Sequence, residues 1–159
     1  MTNYVINKTQ HKEVIWNRPI PNIEKCMSAE TFIPPVSRGR VIKCYDGDTI
    51  TIATYLPIPE SSLYKFSVRL DGIDCPEIRG KNENEKQCAK LAQKFVEDML
   101  LGNMVTLNNV KLEKYGRILA DVIFNDNSVS SALIANKLAV PYDGGKKNVP
   151  DDWMHYHVT

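Results

Sequence analysis

Residues 65–71 read Lys-Phe-Ser-Val-Arg-Leu-Asp, and their alternation is the key to the fold. Phe66, Val68 and Leu70 fall on one face of an extended chain. Ser67, Arg69 and Asp71 fall on the other, which is the two-residue period of a half-buried strand. The same period appears upstream. Arg40-Val-Ile-Lys-Cys-Tyr45 runs into the turn signal Asp46-Gly47-Asp48, and Thr49-Ile-Thr-Ile52 alternates again. Leu56-Pro-Ile-Pro59 with Glu60, Ser61 and Ser62 reads as the loop of a hairpin. Downstream the period changes. Asn82, followed three residues later by Glu85, resembles a capping box. Cys88, Leu91, Ala92, Phe95 and Met99 then recur at helical spacing as an apolar stripe, with Gly102 as the stop. Strands return near 105–112 and 118–124, around the turn Lys114-Tyr-Gly-Arg117. A second helix begins near Val129, with Ala132, Leu133 and Ala135 as its packing face.

Three strands, a helix, two strands and a helix is the order of an OB-fold, a five-stranded Greek-key barrel. The predicted class is therefore mainly β with two or three helices. A chain of 159 residues is expected to form one domain with a real core. Residues 38–147 are the predicted barrel, and 148–159 a short tail with a short helix near Pro150. Residues 1–37 form an extension whose prolines, Pro19, Pro21, Pro34 and Pro35, interrupt helices. Val14, Ile15, Trp16, Ile20, Ile23 and Phe32 make part of it, within 10–37, an apolar strap expected to pack on the barrel.

No run approaches the roughly 18 apolar residues of a membrane span, and residues 1–9 hold no leader-like apolar stretch. An intracellular monomer with no membrane partner is the expectation. Cys26, Cys44, Cys75 and Cys88 form no CxxC pair, which gives a structural zinc site little support, and Cys44 and Cys88, on a strand-like and a helix-like run, read as buried thiols rather than disulfide partners. The net charge of +1 provides little broad attraction to phosphate, so any phosphate binding must come from locally placed Arg and Lys.

Three clusters carry chemistry. Asp46-Gly-Asp48-Thr49 offers hard oxygen ligands of the kind calcium and magnesium take, although such a turn also occurs in ordinary hairpins. Arg69 sits on a rigid strand, suited to a bidentate phosphate contact or to a plain surface ion pair. It is followed by Asp74-Cys75-Pro76-Glu77, where one carboxylate can bind a metal and another serve as general base. Lys114-Tyr115-Gly116-Arg117 suits a phosphate with a stacked base, or a solvated hairpin tip. His155 and His157, two apart near the end, read as solvated.

Taken together, 41–49, 68–77 and 114–117 resemble, in order, the three signature segments of the staphylococcal nuclease (thermonuclease) family. The similarity continues through 89–101 and 131–142, and covers about 38–145. The resemblance implies a calcium-dependent endonuclease that hydrolyses phosphodiester bonds of DNA or RNA and leaves 3′-phosphate ends. It implies that Asp48, Asp74 and the Cys75 backbone carbonyl bind calcium, with Asp46 orienting ligands and water. Glu77 matches the proposed general base, and Arg69 and Arg117 match the arginines that grip the scissile phosphate. Lys114, Tyr115 and Tyr142 match nucleotide-contacting positions. Asp71 is a departure, an extra carboxylate able to compete for Arg69. Modules of this fold also occur as non-catalytic binding units that characteristically lack the metal and arginine residues. The five charged residues here favour the enzyme. Removal of residues 1–37 is expected to lower the melting temperature while metal-dependent cleavage persists. An unchanged melting temperature would show the extension to be independent.

Overall fold

A computed structural model describes residues 19–159 of the chain. Val14, Ile15 and Trp16 of the predicted strap lie outside the described residues. The chain divides into two compact units, Met1–Phe32 and Ile33–Thr159. In the first, a single turn of helix, α1 (Ile23–Met27), is capped by Asn22, whose side chain accepts from the Lys25 N–H at 3.1 Å.

The second unit is the barrel. Its strands are β1 (Arg38–Cys44), β2 (Thr49–Tyr55), β3 (Leu63–Leu70), β4 (Ile73–Asp74), β5 (Met104–Leu112), β6 (Ile118–Phe124), β7 (Asn127–Ser128) and β8 (Val140–Pro141). β2 lies between β1 and β3, and β5 between β1 and β6, all antiparallel. β3 then meets β6 in parallel, Arg69 opposite Leu119, and this pairing closes the five-stranded OB barrel. The expected inward face of β3 is the observed one. Val68 and Leu70 are fully buried and Phe66 packs against the core. In β1 the alternation changes phase. A register shift between Val41 and Lys43 turns Cys44, not Lys43, inward. Just before β1, Val36 is buried too, and the Leu107 N–H donates to the Ser37 carbonyl at 2.8 Å.

Helix α2 (Glu83–Leu100) starts where Asn82 accepts from the Glu85 N–H at 2.8 Å. Its buried stripe is Cys88, Ala89, Ala92, Val96 and Leu100, rotated from the expected one. Leu91 is 41% exposed, and Phe95 and Met99 lie at the flank. Small residues occupy the centre because the helix comes close to the barrel, with Ala92 against Gly47. After α2, Gly102 turns the chain with φ +80.

Helix α3 (Val129–Ala135) is capped by Ser128 and buries Val129 and Leu133, while Ala135 faces solvent. Helix α4 (Trp153–Val158) is capped by Asp152, which accepts from Met154 and His155 and is held to α2 by Asn84 at 2.7 Å. Trp153 enters the barrel core at 4% exposure and meets Tyr156 edge-on. Among the described residues, no helix is long and apolar enough to cross a membrane. Trp153→Ala is expected to cost about 3–5 kcal/mol, the usual loss for a buried aromatic in a core. Urea denaturation measures it, and a loss below about 1 kcal/mol would mean α4 is not part of the cooperative unit.

Candidate active site

The turn between β1 and β2 carries two acids on a spot with no spare room. A Cβ at Gly47 would lie 2.7 Å from the Ala92 Cβ and 2.8 Å from the Cys75 sulfur. Only glycine lets the turn press so closely on α2. Asp46 Oδ1 accepts from the Asp48 N–H at 3.1 Å, and Thr49 Oγ1 donates to Asp48 Oδ1 at 2.9 Å. The Cys75 N–H lies 3.4 Å from Asp48 Oδ2. Asp48 is therefore buried but supported by hydrogen bonds, as a carboxylate removed from water must be.

Arg69 joins this turn to the end of β3. Its Nη1 pairs with Asp48 Oδ2, and its Nη2 lies 3.3 Å from Asp74 Oδ1 and 3.2 Å from the Ile73 carbonyl. Burial weakens the charge on Arg69, but Asp48 and then Asp74 outweigh it and raise its pKa. Asp71 does not compete for Arg69. It takes Lys111 at 3.3 Å and the Gly72 N–H at 2.8 Å. Asp74, 2% exposed, also receives Lys147 Nζ at 2.8 Å, and the same ammonium reaches Glu77 Oε1 at 3.5 Å. Burial opposes the Lys147 charge too, and the hydrogen bond that Lys147 donates to Asp74 helps override it and raise its pKa. Asp46 is raised to about 6, first by burial and then by the Asp48 charge.

Arg117 belongs to the same patch. Its Nη1 lies 3.4 Å from Thr49 Oγ1, so one hydroxyl separates it from Asp48. Its Nε and Nη2 grip Glu113 at 2.6 and 2.9 Å. That bidentate pair lowers the Glu113 pKa and raises that of Arg117. The hairpin tip turns at Gly116, φ +80, and leaves Tyr115 74% exposed, with Lys114 Nζ 4.8 Å from its ring centre. Lys114, Tyr142, Lys111 and Leu119 line a cavity of about 400 Å³ that Arg69 also borders. Tyr115 is not among its lining residues.

The structure thus brings Asp46, Asp48, Arg69, Asp74 and Cys75 together, sets Arg117 at their edge and ties Glu77 to them through Lys147. Lys114 and Tyr142 flank the same region. Sequence reasoning missed Glu113, Lys147 and the Thr49 hydroxyl. Glu113 four residues before Arg117 was a usable signal, whereas nothing local marks Lys147. The Cys75 thiol packs in the core beside Gly47, with its pKa pushed far up by burial and then by Asp48, Asp46 and Asp74.

The side chains gathered here offer hard oxygen atoms, the ligand type that calcium and magnesium take. Four carboxylates, Asp46, Asp48, Asp74 and Glu77, face two cations, Arg69 and Lys147. The two negative charges left over are what one divalent ion neutralises. Among the described residues, no three His, Cys, Asp or Glu side chains form a group able to hold a metal. An ion here would accordingly need main-chain oxygen and water besides Asp48 and Asp74.

The family described as staphylococcal nuclease homologue matches residues 67–155, from within β3 to α4. That span includes Arg69, Asp74, Glu77, Arg117 and Lys147 but begins after the Asp46–Asp48 turn. A probable endonuclease of Schizosaccharomyces pombe is 32% identical over 86 residues, 50% of this chain and 37% of that protein. A probable endonuclease of Eremothecium gossypii is 29% identical over 101 residues, 59% of this chain and 37% of that protein. The matched regions thus span little more than a third of the length of these curated relatives. Gly47→Ala is expected to cost about 1–3 kcal/mol, the typical price of overpacking, since neither Ala92 on its helix nor the buried Cys75 can move freely. Thermal denaturation tests this, and an unchanged midpoint would mean the turn is loose.

Proposed function

Because this chain belongs to the staphylococcal nuclease family, we propose that it is a calcium-dependent endonuclease that hydrolyses DNA or RNA and leaves 3′-phosphate ends. The observation that carries this reading is the double pairing of Arg69 with Asp48 and Asp74, with Arg117 one hydroxyl away. Two arginines and a cluster of acids around one point suit a reaction in which negative charge builds on a phosphate. That both relatives are probable endonucleases supports the same substrate class.

In this reading Asp48, Asp74 and the Cys75 carbonyl hold calcium, and Asp46 orients ligands and water. Calcium, when bound, supplies a positive charge beside the phosphate and orders water there. Arg69 and Arg117 grip the non-bridging phosphate oxygens. Glu77 takes a proton from the attacking water. The new P–O bond forms as the bond to the 5′ oxygen breaks, and that oxygen leaves as a hydroxyl after gaining a proton. Lys114, Tyr115 and Tyr142 hold the flanking nucleotide by charge and stacking. Arg117 must exchange Glu113 for phosphate as substrate arrives. Cys75 contributes only main chain, which accords with a thiol buried away from solvent.

These roles predict a specific kinetic pattern. Single-stranded DNA is nicked with calcium and not with EDTA, and end analysis finds 3′-phosphates. Arg117→Ala lowers turnover by about 10²–10³, the usual loss for one preorganised donor. Glu77→Gln abolishes most activity while leaving calcium binding in place. Nicking that is equally fast in EDTA would sink the metal-dependent mechanism.

A further inference from the structure

The proposed reaction leaves Lys147 without a task. It lies on the segment between β8 and α4, and both ends of that segment are fixed. Val140 of β8 pairs with Asp74, and Trp153 of α4 is buried. Between them the chain turns outward at Gly144, φ +92, where Asp143 Oδ1 accepts from the Gly145 N–H at 2.9 Å. From this exposed segment the Lys147 side chain reaches back to a carboxylate that is almost wholly enclosed. The Asp74 side chain is 3% exposed and that of Lys147 47%.

The two cations on Asp74 differ in kind. Arg69 is held by Asp48 and by the Ile73 carbonyl as well, so it has more partners to give up than Lys147 has. Lys147 reaches Asp74 on a flexible four-carbon stem, touches Glu77 only at 3.5 Å, and is half exposed. A calcium ion bonded to Asp74 Oδ1 at its usual ~2.3–2.6 Å would lie within about 5.5 Å of an ammonium that stayed in place. Like charges that close repel, and the enclosure of Asp74 between them limits screening by solvent.

We propose that Lys147 is a displaceable cation that competes with the metal ion for Asp74, so that metal binding releases its side chain from the site. Lys147 thereby sets the metal affinity as a positioning residue rather than a catalytic one. This rests on the calcium reading above. In the metal-free protein the ammonium shields Asp74. In the loaded protein it is freed toward the cavity of about 400 Å³ lined by Glu77, Lys81 and Trp153.

The test is a calorimetric calcium titration of the full chain without nucleic acid. K147M is expected to bind calcium about tenfold more tightly or better, because a competing charge is gone. K147R, which keeps the charge, and K146M, which removes a neighbouring one, are expected to stay within about twofold of the unaltered protein. In a D74N background the gain from K147M should vanish, since the carboxylate they compete for is absent. Melting curves of each variant establish that it is folded. If K147M binds like K146M, or more weakly than the unaltered protein, the competition is refuted while the nuclease reading stands. If no variant and not even the unaltered protein binds calcium, both fail together.

Discussion

The Arg69 guanidinium lies between two carboxylates, Asp48 and Asp74, that would otherwise repel each other in a nearly dry pocket. Removing one member of a buried ionic group leaves an uncompensated charge, at a cost of about 3–5 kcal/mol. The barrel register puts the arginine there. Arg69 stands opposite Thr49 on one side and Leu119 on the other. The first pairing places it next to Asp48, and the second brings in the strand that follows Arg117. A slip of one residue in β3 would send Arg69 into the core and Val68 into solvent, so the core and the site enforce the same alignment.

Charge in this molecule is arranged locally rather than in bulk. A net charge of +1 offers phosphate no general attraction. Arg117 is instead kept neutralised by Glu113 and aimed at the patch, and Arg69 is kept neutralised by the acids it joins. Asp46, raised to about 6 by burial and by Asp48, is the opposite case. Holding it ionised at neutral pH opposes folding, the kind of local cost concentrated at functional sites.

Much of this was legible in the order of residues. β3 and β6 alternate cleanly because one face of each is buried, and Asp46-Gly-Asp48 marks the turn because glycine is the residue that fits against Ala92. The errors have physical causes. Helical spacing puts Leu91 on the apolar stripe, whereas close approach of α2 to the barrel selects Cys88, Ala89 and Ala92. Ala135 lies two residues past Leu133, about 200° around α3 from the buried Val129 and Leu133 face, and so is exposed. In β1 the register shift reset the alternation, which no period-two reading anticipates. Motif order identified the acids and arginines, but Lys147 joins Asp74 across 73 positions through tertiary packing alone. No local spacing encodes such a pair.

The parallel pairing of β3 with β6 has a consequence for the birth of the protein. It joins Val68 to Ile118 and so cannot form until the whole of α2 and β5 has been made. Contacts of such long sequence separation form slowly, because chain entropy must be given up before they contribute. A chain emerging from the ribosome therefore carries its acids and Arg69 long before Arg117 can reach them. The acids and arginines assemble only as the barrel shuts, so a growing or stalled chain lacks the complete patch. The closure that stabilises the fold also times when that patch first exists.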